Sequence, residues 1–274
     1  MVLFPNCKIN LGLNIVGKRS DGYHDLETVF YPIQIKDAVE IIEKKKLEFS
    51  ISGLAIEAEH QNNLCLKAYH LLKKDFPQLP SVQMHLHKAI PIGAGLGGGS
   101  ADGAFTLKLL NQKFDLSLSE KQLMDYALQL GSDCPFFILN QPCFATGRGE
   151  TLTKADIDFS KFKIVIVHPG IHISTAWAFS QLSGRLQQPD NYKTIKEIIQ
   201  QSISTWKEEL INDFEEPVLQ KYPEIKKIKD ELYDAGALYS SMSGSGSAVY
   251  GIFKKGKQFS ISFPKNYFVK EMAR

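Results

Sequence analysis

The run Pro91-Ile92-Gly93-Ala94-Gly95-Leu96-Gly97-Gly98-Gly99-Ser100 constrains this chain more than any other segment. Five glycines between positions 93 and 99 remove side chains where backbone must approach something closely, and they permit positive φ angles. Upstream, Val82, Met84 and Leu86 alternate with polar residues as a strand does. Downstream, Ala101, Ala104, Phe105 and Leu109 recur at helical spacing. The unit is strand, glycine loop, helix, so the helix's free N–H groups and positive dipole end face the loop. Proteins bind phosphate in this way. An ordinary glycine-rich turn is the plainer reading, and it suits a lone glycine pair better than five.

Several phosphate loops compete for this pattern. The Walker loop needs Lys-Ser/Thr after its last glycine, whereas Ser100-Ala101 follows Gly99. Gly93-Ala94-Gly95-Leu96-Gly97-Gly98 does satisfy G-x-G-x-x-G, and Asp115 lies at the distance a dinucleotide fingerprint asks. That acid, however, falls in the loop Phe114-Asp115-Leu116-Ser117 instead of ending a second strand, and several strands precede the glycine loop. A protein-kinase loop lacks its H-R-D and D-F-G companions.

Around the loop the chain reads as mixed α and β. Cys7, Ile9, Leu11, Leu13 and Ile15 alternate with Lys8, Asn10, Gly12 and Asn14, which predicts a half-buried strand. Short strands are expected over Thr28–Ile35, Ala38–Ile42 and Leu47–Ile51, and a helix capped by asparagine over Leu64–Leu72. Ser119 and Gln122 form a capping-box pattern before a helix closed by Gly131. A strand at Phe162–Val167, apolar but for Lys163, opens the second half, followed by a helix over Ser174–Leu182. A further helix starting at Pro223 leads to strands at Ala237–Met242 and Ala248–Phe253, joined by Ser243-Gly244-Ser245-Gly246-Ser247. We expect two domains, 1–156 and 157–274.

Composition narrows the partners. The 32 basic residues nearly balance 30 acidic ones, and basic runs such as Glu43-Lys44-Lys45-Lys46 are scattered, so nucleic acid is not expected. Apolar runs are strand-sized and the first residues lack an export pattern, so neither membrane nor secretion is expected and a cytoplasmic location is. Cys7, Cys65, Cys134 and Cys143 show no C-x-x-C spacing, which fits reduced thiols.

Three segments together resemble the GHMP kinases: the N-terminal strand bearing a lysine, the P-x-G-x-G-L-G-G-G-S loop, and the late glycine-serine loop. Pro5-Asn6-Cys7-Lys8-Ile9-Asn10-Leu11, Asp21-Gly22-Tyr23-His24 and Gly131-Ser132-Asp133-Cys134-Pro135-Phe136-Phe137 extend the likeness, which spans roughly Pro5 to Phe253. The resemblance implies an α+β, two-domain GHMP kinase fold, with an N-terminal ribosomal-protein-S5-domain-2-like domain and a C-terminal ferredoxin-like α/β sandwich. It implies an enzyme that moves the γ-phosphoryl of ATP, with Mg²⁺, onto a hydroxyl of a cytidine diphosphate substrate. Other branches, acting on homoserine, mevalonate or sugars, stay open, as do a nucleotide-dependent oxidoreductase and a catalytically silent nucleotide-binding module. Monomer and homodimer are both open.

The likeness also implies roles. Asp133 would take the proton of the attacking hydroxyl, and Lys8 beside it would stabilise the ionised carboxylate and the developing charge. On the residues alone, Lys8 is a solvated lysine and Asp133 a turn or capping residue. Pro91, Gly93, Ala94, Gly95, Leu96, Gly97, Gly98, Gly99 and Ser100 would hold ATP phosphates, and Asn63, Leu64 and Lys88 match positions near the adenine. Ala94 departs from the family's frequent glycine. Asn10, Tyr23, His24, Thr175 and Phe179 would meet the cytidyl substrate, with two aromatic rings sandwiching the base. Gly244, Ser245 and Gly246 would close on its diphosphate. Ser100 either caps its helix or touches phosphate or Mg²⁺, and no metal ligand is assigned.

Overall fold

The computed structural model describes residues 1–54, 62–182, 193–256, 258 and 261–273. In chain order the elements are β1 (Val2–Leu3), β2 (Asn6–Lys18), β3 (His24–Lys36), β4 (Ala38–Glu43), β5 (Glu48–Gly53), α1 (Leu64–Asp75), β6 (Val82–Lys88), α2 (Gly98–Lys113), α3 (Glu120–Leu130), α4 (Cys134–Leu139), β7 (Cys143–Thr146) and β8 (Thr151–Lys154). There follow β9 (Phe162–His168), α5 (Thr175–Ser180), α6 (Ile195–Ile199), α7 (Trp206–Glu209), α8 (Glu215–Lys221), α9 (Pro223–Asp234), β10 (Tyr239–Met242), β11 (Val249–Lys254) and β12 (Phe268–Ala273). Two compact units interleave along the chain: Met1–Lys8, Pro32–Ile92 and Gly97–Gln141 form the first, and Ile9–Tyr31, Gly93–Leu96 and Pro142–Arg274 the second. The expected boundary at 156/157 is by contrast a linear division.

The first unit holds a sheet in the order β1-β4-β6-β5, antiparallel except for the parallel pair β5/β6. Asn63 caps α1 by accepting the Cys65 N–H at 2.9 Å, and Cys65, Ala68, Tyr69 and Leu72 form its buried stripe. The capping box of α3 forms as expected, with Ser119 and Gln122 satisfying each other's backbone. Helix α2 is buried around its circumference, from Ala101 through Leu107 without a break. A helix of that kind is central, and Gly103 lets α1 approach it: a Cβ there would lie 2.9 Å from Leu64 Cβ.

The second unit carries a four-stranded antiparallel sheet, β10-β11-β9-β12, with Val167 opposite both Val249 and Val269. Ile225, Ile228 and Leu232 of α9 join Val165, Val167, Phe214, Val218, Met242 and Phe253 in one buried core. A further sheet has the order β2-β3-β7-β8; β7 pairs antiparallel with β3 and β8. Strand β2 departs from expectation, since every residue from Asn6 to Ile15 is buried, on both faces of the strand. Its polar residues tolerate this because they are bonded: Asn10 Nδ2 donates to Thr28 Oγ1 at 3.0 Å and Lys8 pairs with Asp133. Strands β7, β8 and β12 and helix α4 add to what the pattern predicts, and α5 is shorter than the expected Ser174–Leu182.

Candidate active site

Lys8 and Asp133 meet in the first unit. Lys8 Nζ stands 3.5 Å from Asp133 Oδ2; the lysine side chain is 4% exposed and the aspartate 35%. Burial lowers the Lys8 pKa, against the opposing pull of Asp133. Asp133 occupies the N-cap of α4 but makes no side-chain capping bond, so its carboxylate is not spent on the helix as a capping role requires. The stem of Lys8 runs against Gly97, where a Cβ would fall 3.1 Å from Lys8 Cγ and 2.9 Å from Phe137 Cζ. Gly97 also has φ +70°, so glycine is needed for both space and conformation.

Gly97 stands at the N-cap of α2 and offers no side-chain cap. The free N–H groups of that 16-residue helix therefore lack a side-chain acceptor at their head. Gly99 is exposed, and a Cβ there meets nothing within 4 Å. An uncapped helix end with open space before it suits the phosphates of ATP.

Of the residues expected near adenine, Asn63 and Leu64 open α1, and Lys88 closes β6. Lys88 is buried, and its ammonium pairs with Asp37 and, at 2.7 Å, with Asp102 of α2. Asp37 Oδ1 also accepts the N–H groups of Ala89 and Ile90 at 2.6 and 2.8 Å. One ammonium faces two buried carboxylates, and burial, with Asp37 beside it, pushes the Asp102 carboxyl up against the pull of Lys88. Burial opposes the charge on Lys88 too, but the two carboxylates outweigh it and raise its pKa. The cluster joins the strand entering the glycine loop to the helix leaving it.

In the second unit the first half of the glycine loop lies against the late glycine-serine loop. Ser243 Oγ donates to Gly95 O at 2.9 Å, Asn10 N–H donates to Ser243 Oγ at 3.2 Å, and Ala248 N–H donates to Ala94 O at 3.0 Å. Gly95, at φ +76°, approaches so closely that a Cβ would lie 1.9 Å from Ser243 O. Gly93 likewise lies under His172, whose Nδ1 would be 2.8 Å from a Cβ. Asn10 and Gly244 adjoin, a Cβ on Gly244 falling 3.3 Å from Asn10 Oδ1. Ala94 and Leu96 are buried, whereas Ile92 is exposed. The weakest motif in the sequence is thus bonded to the strongest.

The aromatic residues group differently from the expected sandwich. His24 and Phe179 stack on each other, with centroids 4.9 Å apart and planes 16° from parallel, and Phe214 meets Phe179 edge-on. Tyr23 is 55% exposed and lies beneath the guanidinium of Arg148 at 4.9 Å. Phe179 is therefore paired with His24, the first residue of β3, and Tyr23, which precedes the strand, is paired with Arg148. Thr175 joins the late loop through a 3.1 Å hydroxyl contact with Ser245. Sequence reasoning missed Asp37, Asp102, Arg148, His172 and Asn212; none stands in a motif, and only packing brings each to its place.

The chain matches the GHMP kinases N terminal domain over residues 63–145 and the GHMP kinases C terminal domain over 190–261. It belongs to the GHMP kinases, and it is a kinase by that membership. Within the family its relatives carry a particular name. The 4-diphosphocytidyl-2-C-methyl-D-erythritol kinase of Bacteroides fragilis is 52% identical over 92% of either chain. A crystal structure of 4-(cytidine 5'-diphospho)-2C-methyl-D-erythritol kinase is 30% identical with a TM-score of 0.76, covering 92% of this chain and 89% of the other. The mevalonate kinase of Methanococcus jannaschii shares the fold, with TM-score 0.68 at 15% identity, covering 93% and 91%. Among the described residues no helix is long and apolar enough to cross a membrane.

Proposed function

We infer that this chain transfers the γ-phosphoryl of ATP to the 2-hydroxyl of 4-diphosphocytidyl-2-C-methyl-D-erythritol, giving the 2-phosphate and ADP. The reaction belongs to the cytoplasmic, non-mevalonate route to isoprenoid precursors. The observation that carries the reading is the Lys8–Asp133 pair, 3.5 Å apart, with the lysine stem against Gly97 at the uncapped start of α2. An alcohol is a poor nucleophile at neutral pH, so a carboxylate within reach accepts its proton as the oxygen bonds to phosphorus. Asp133 has that task. The Lys8 ammonium offsets negative charge gathering on the attacking oxygen. The α2 N-terminus and the loop's N–H groups hold the triphosphate, and the bond between the γ-phosphorus and its bridging oxygen breaks with ADP as leaving group.

ATP follows from the family. Mg²⁺ would arrive with it, and when bound would supply charge neutralisation on the phosphates. A magnesium ion that keeps waters and phosphate oxygens needs only one or two protein carboxylates. Among the described residues no group of three metal-binding side chains exists. For the cytidyl substrate, the outer side of the His24–Phe179 stack and the ring of Tyr23 offer faces for the base, and Thr175, Asn10 and Gly244–Gly246 offer polar groups. A coupled ADP-release assay checks the reading. Turnover is expected with the cytidyl substrate and not with mevalonate, homoserine or galactose; the opposite selectivity overturns it.

A further inference from the structure

The turn between α7 and α8 holds the late loop from behind. Asn212 is 1% exposed. Its two amide hydrogens go to Met242 O at 2.8 Å and Gly244 O at 2.9 Å, one on each side of Ser243. Its Oδ1 accepts the Phe214 N–H at 3.0 Å, so the amide is satisfied at both ends. The backbone on either side is stitched to β2: Leu13 N–H donates to Ile211 O at 2.9 Å, and Asp213 N–H donates to Leu13 O at 2.8 Å. Glu215 completes the grip by accepting from Met242 N–H at 2.7 Å and Ser241 Oγ at 2.9 Å. One short turn therefore fixes both the strand that carries Asn10 and the carbonyls of the loop that Asn10 touches.

The carbonyls have an orientational consequence. In a trans peptide the C=O and the following N–H point in opposite directions. With Gly244 O held on Asn212, the Ser245 N–H points away from it, and among the described residues that N–H has no acceptor. Gly244 N–H also lacks one, and Gly244 has the left-handed φ of +57°. Consecutive N–H groups freed in such a conformation form a concavity for an anion. Ser245 also lies at the Thr175 hydroxyl, next to the helix that carries Phe179.

We propose that Asn212 is a positioning residue: by holding the carbonyls of Met242 and Gly244 it aims the Ser245 N–H at a phosphate oxygen of the nucleoside diphosphate substrate. It touches neither substrate nor ATP. The inference rests on the reading under Proposed function.

Asn212→Asp, Asn212→Ala and Asn212→Ser test it, with Leu232→Ala from the core beneath as a control for general destabilisation. Kinetics are measured for both substrates at a temperature where all variants are folded. Asn212→Asp turns a carboxylate on the two carbonyls, and Asn212→Ala removes both donors. Each is expected to raise KM for the cytidyl substrate about tenfold or more, the scale of a lost hydrogen bond to a charged group. KM for ATP should stay within about twofold, as it should in the control. Asn212→Ser keeps one donor, is milder on folding, and should fall between. Equal changes in both KM values, or a cytidyl KM no different from Leu232→Ala, overturn the proposal. Absence of wild-type turnover on the cytidyl substrate overturns the functional reading itself, which separates the two failures.

Discussion

At the scale of the residue, the structure sorts polar groups by whether they are spent. Asp102 and Asp37 share Lys88, and Asn212 uses its whole amide, whereas Asp133 sits at a helix start without capping it. Asp133→Asn should therefore leave the fold and ATP affinity intact while lowering kcat by about 10²–10⁴, the usual contribution of a positioned base. Calorimetric ATP binding together with turnover reads both effects, and near wild-type kcat would refute the assignment. His168 is a buried histidine whose Nε2 has no partner among the described residues. Burial pushes its imidazole from 6.5 down to about 4. The folded state thus resists the proton that the unfolded chain accepts. Its stability contribution is complete above 6.5 and is lost as pH falls from 6.5 toward 4. The loss should be roughly 1–3 kcal/mol. Melting temperatures at pH 7 and pH 5 should differ less in His168→Asn than in the wild type.

At the scale of the element, caps and glycines do different work. The α3 capping box is exposed and neither Ser119 nor Gln122 is among the proposed site residues, so Ser119→Ala should cost about 1 kcal/mol of stability and leave kcat unchanged. Gly95→Ala should do the reverse. Its backbone demands φ +76°, and its Cβ would overlap Ser243 O at 1.9 Å, so the two loops must part. Activity should fall by at least about tenfold, while the α9 core, built from other residues, keeps the second unit folded. Circular dichroism and turnover on the same preparation distinguish that result from unfolding.

At the scale of the whole molecule, the groups expected to serve ATP at adenine and helix end lie in one unit, and the aromatic groups expected to serve the cytidyl base lie in the other. Single substitutions should consequently separate the two substrates. Phe179→Ala removes a stacking ring worth about 1–3 kcal/mol, so KM for the cytidyl substrate should rise about tenfold or more with KM for ATP nearly unchanged. Parallel rises would mean that the ring serves folding alone.

Much of this was legible before any coordinates. Strand β6, the glycine loop, α2, the α3 cap and the α9 stripe all announce themselves through period and cap chemistry, which are local properties of the chain. Strands β7, β8 and β12 are short or polar and find partners far away in sequence, so no local signal marks them. Strand β2 alternates like a half-exposed strand, yet it is buried on both faces because its polar side chains find buried partners. Residue types alone gave Lys8 and Asp133 ordinary surface or capping roles; only the resemblance paired them.

The glycine loop by itself determined a strand–loop–helix of the kind that suits phosphate, because glycine spacing and helix polarity are written in consecutive residues. Tertiary structure alone decided which partners surround it: Lys8 against Gly97, Ser243 against Gly95, Lys88 between two carboxylates, and Asn212 behind the late loop. Those contacts join residues up to 148 positions apart, as Ser243 and Gly95 are. Their strength comes from burial, close approach and the need to satisfy every polar atom away from water, which no local pattern encodes.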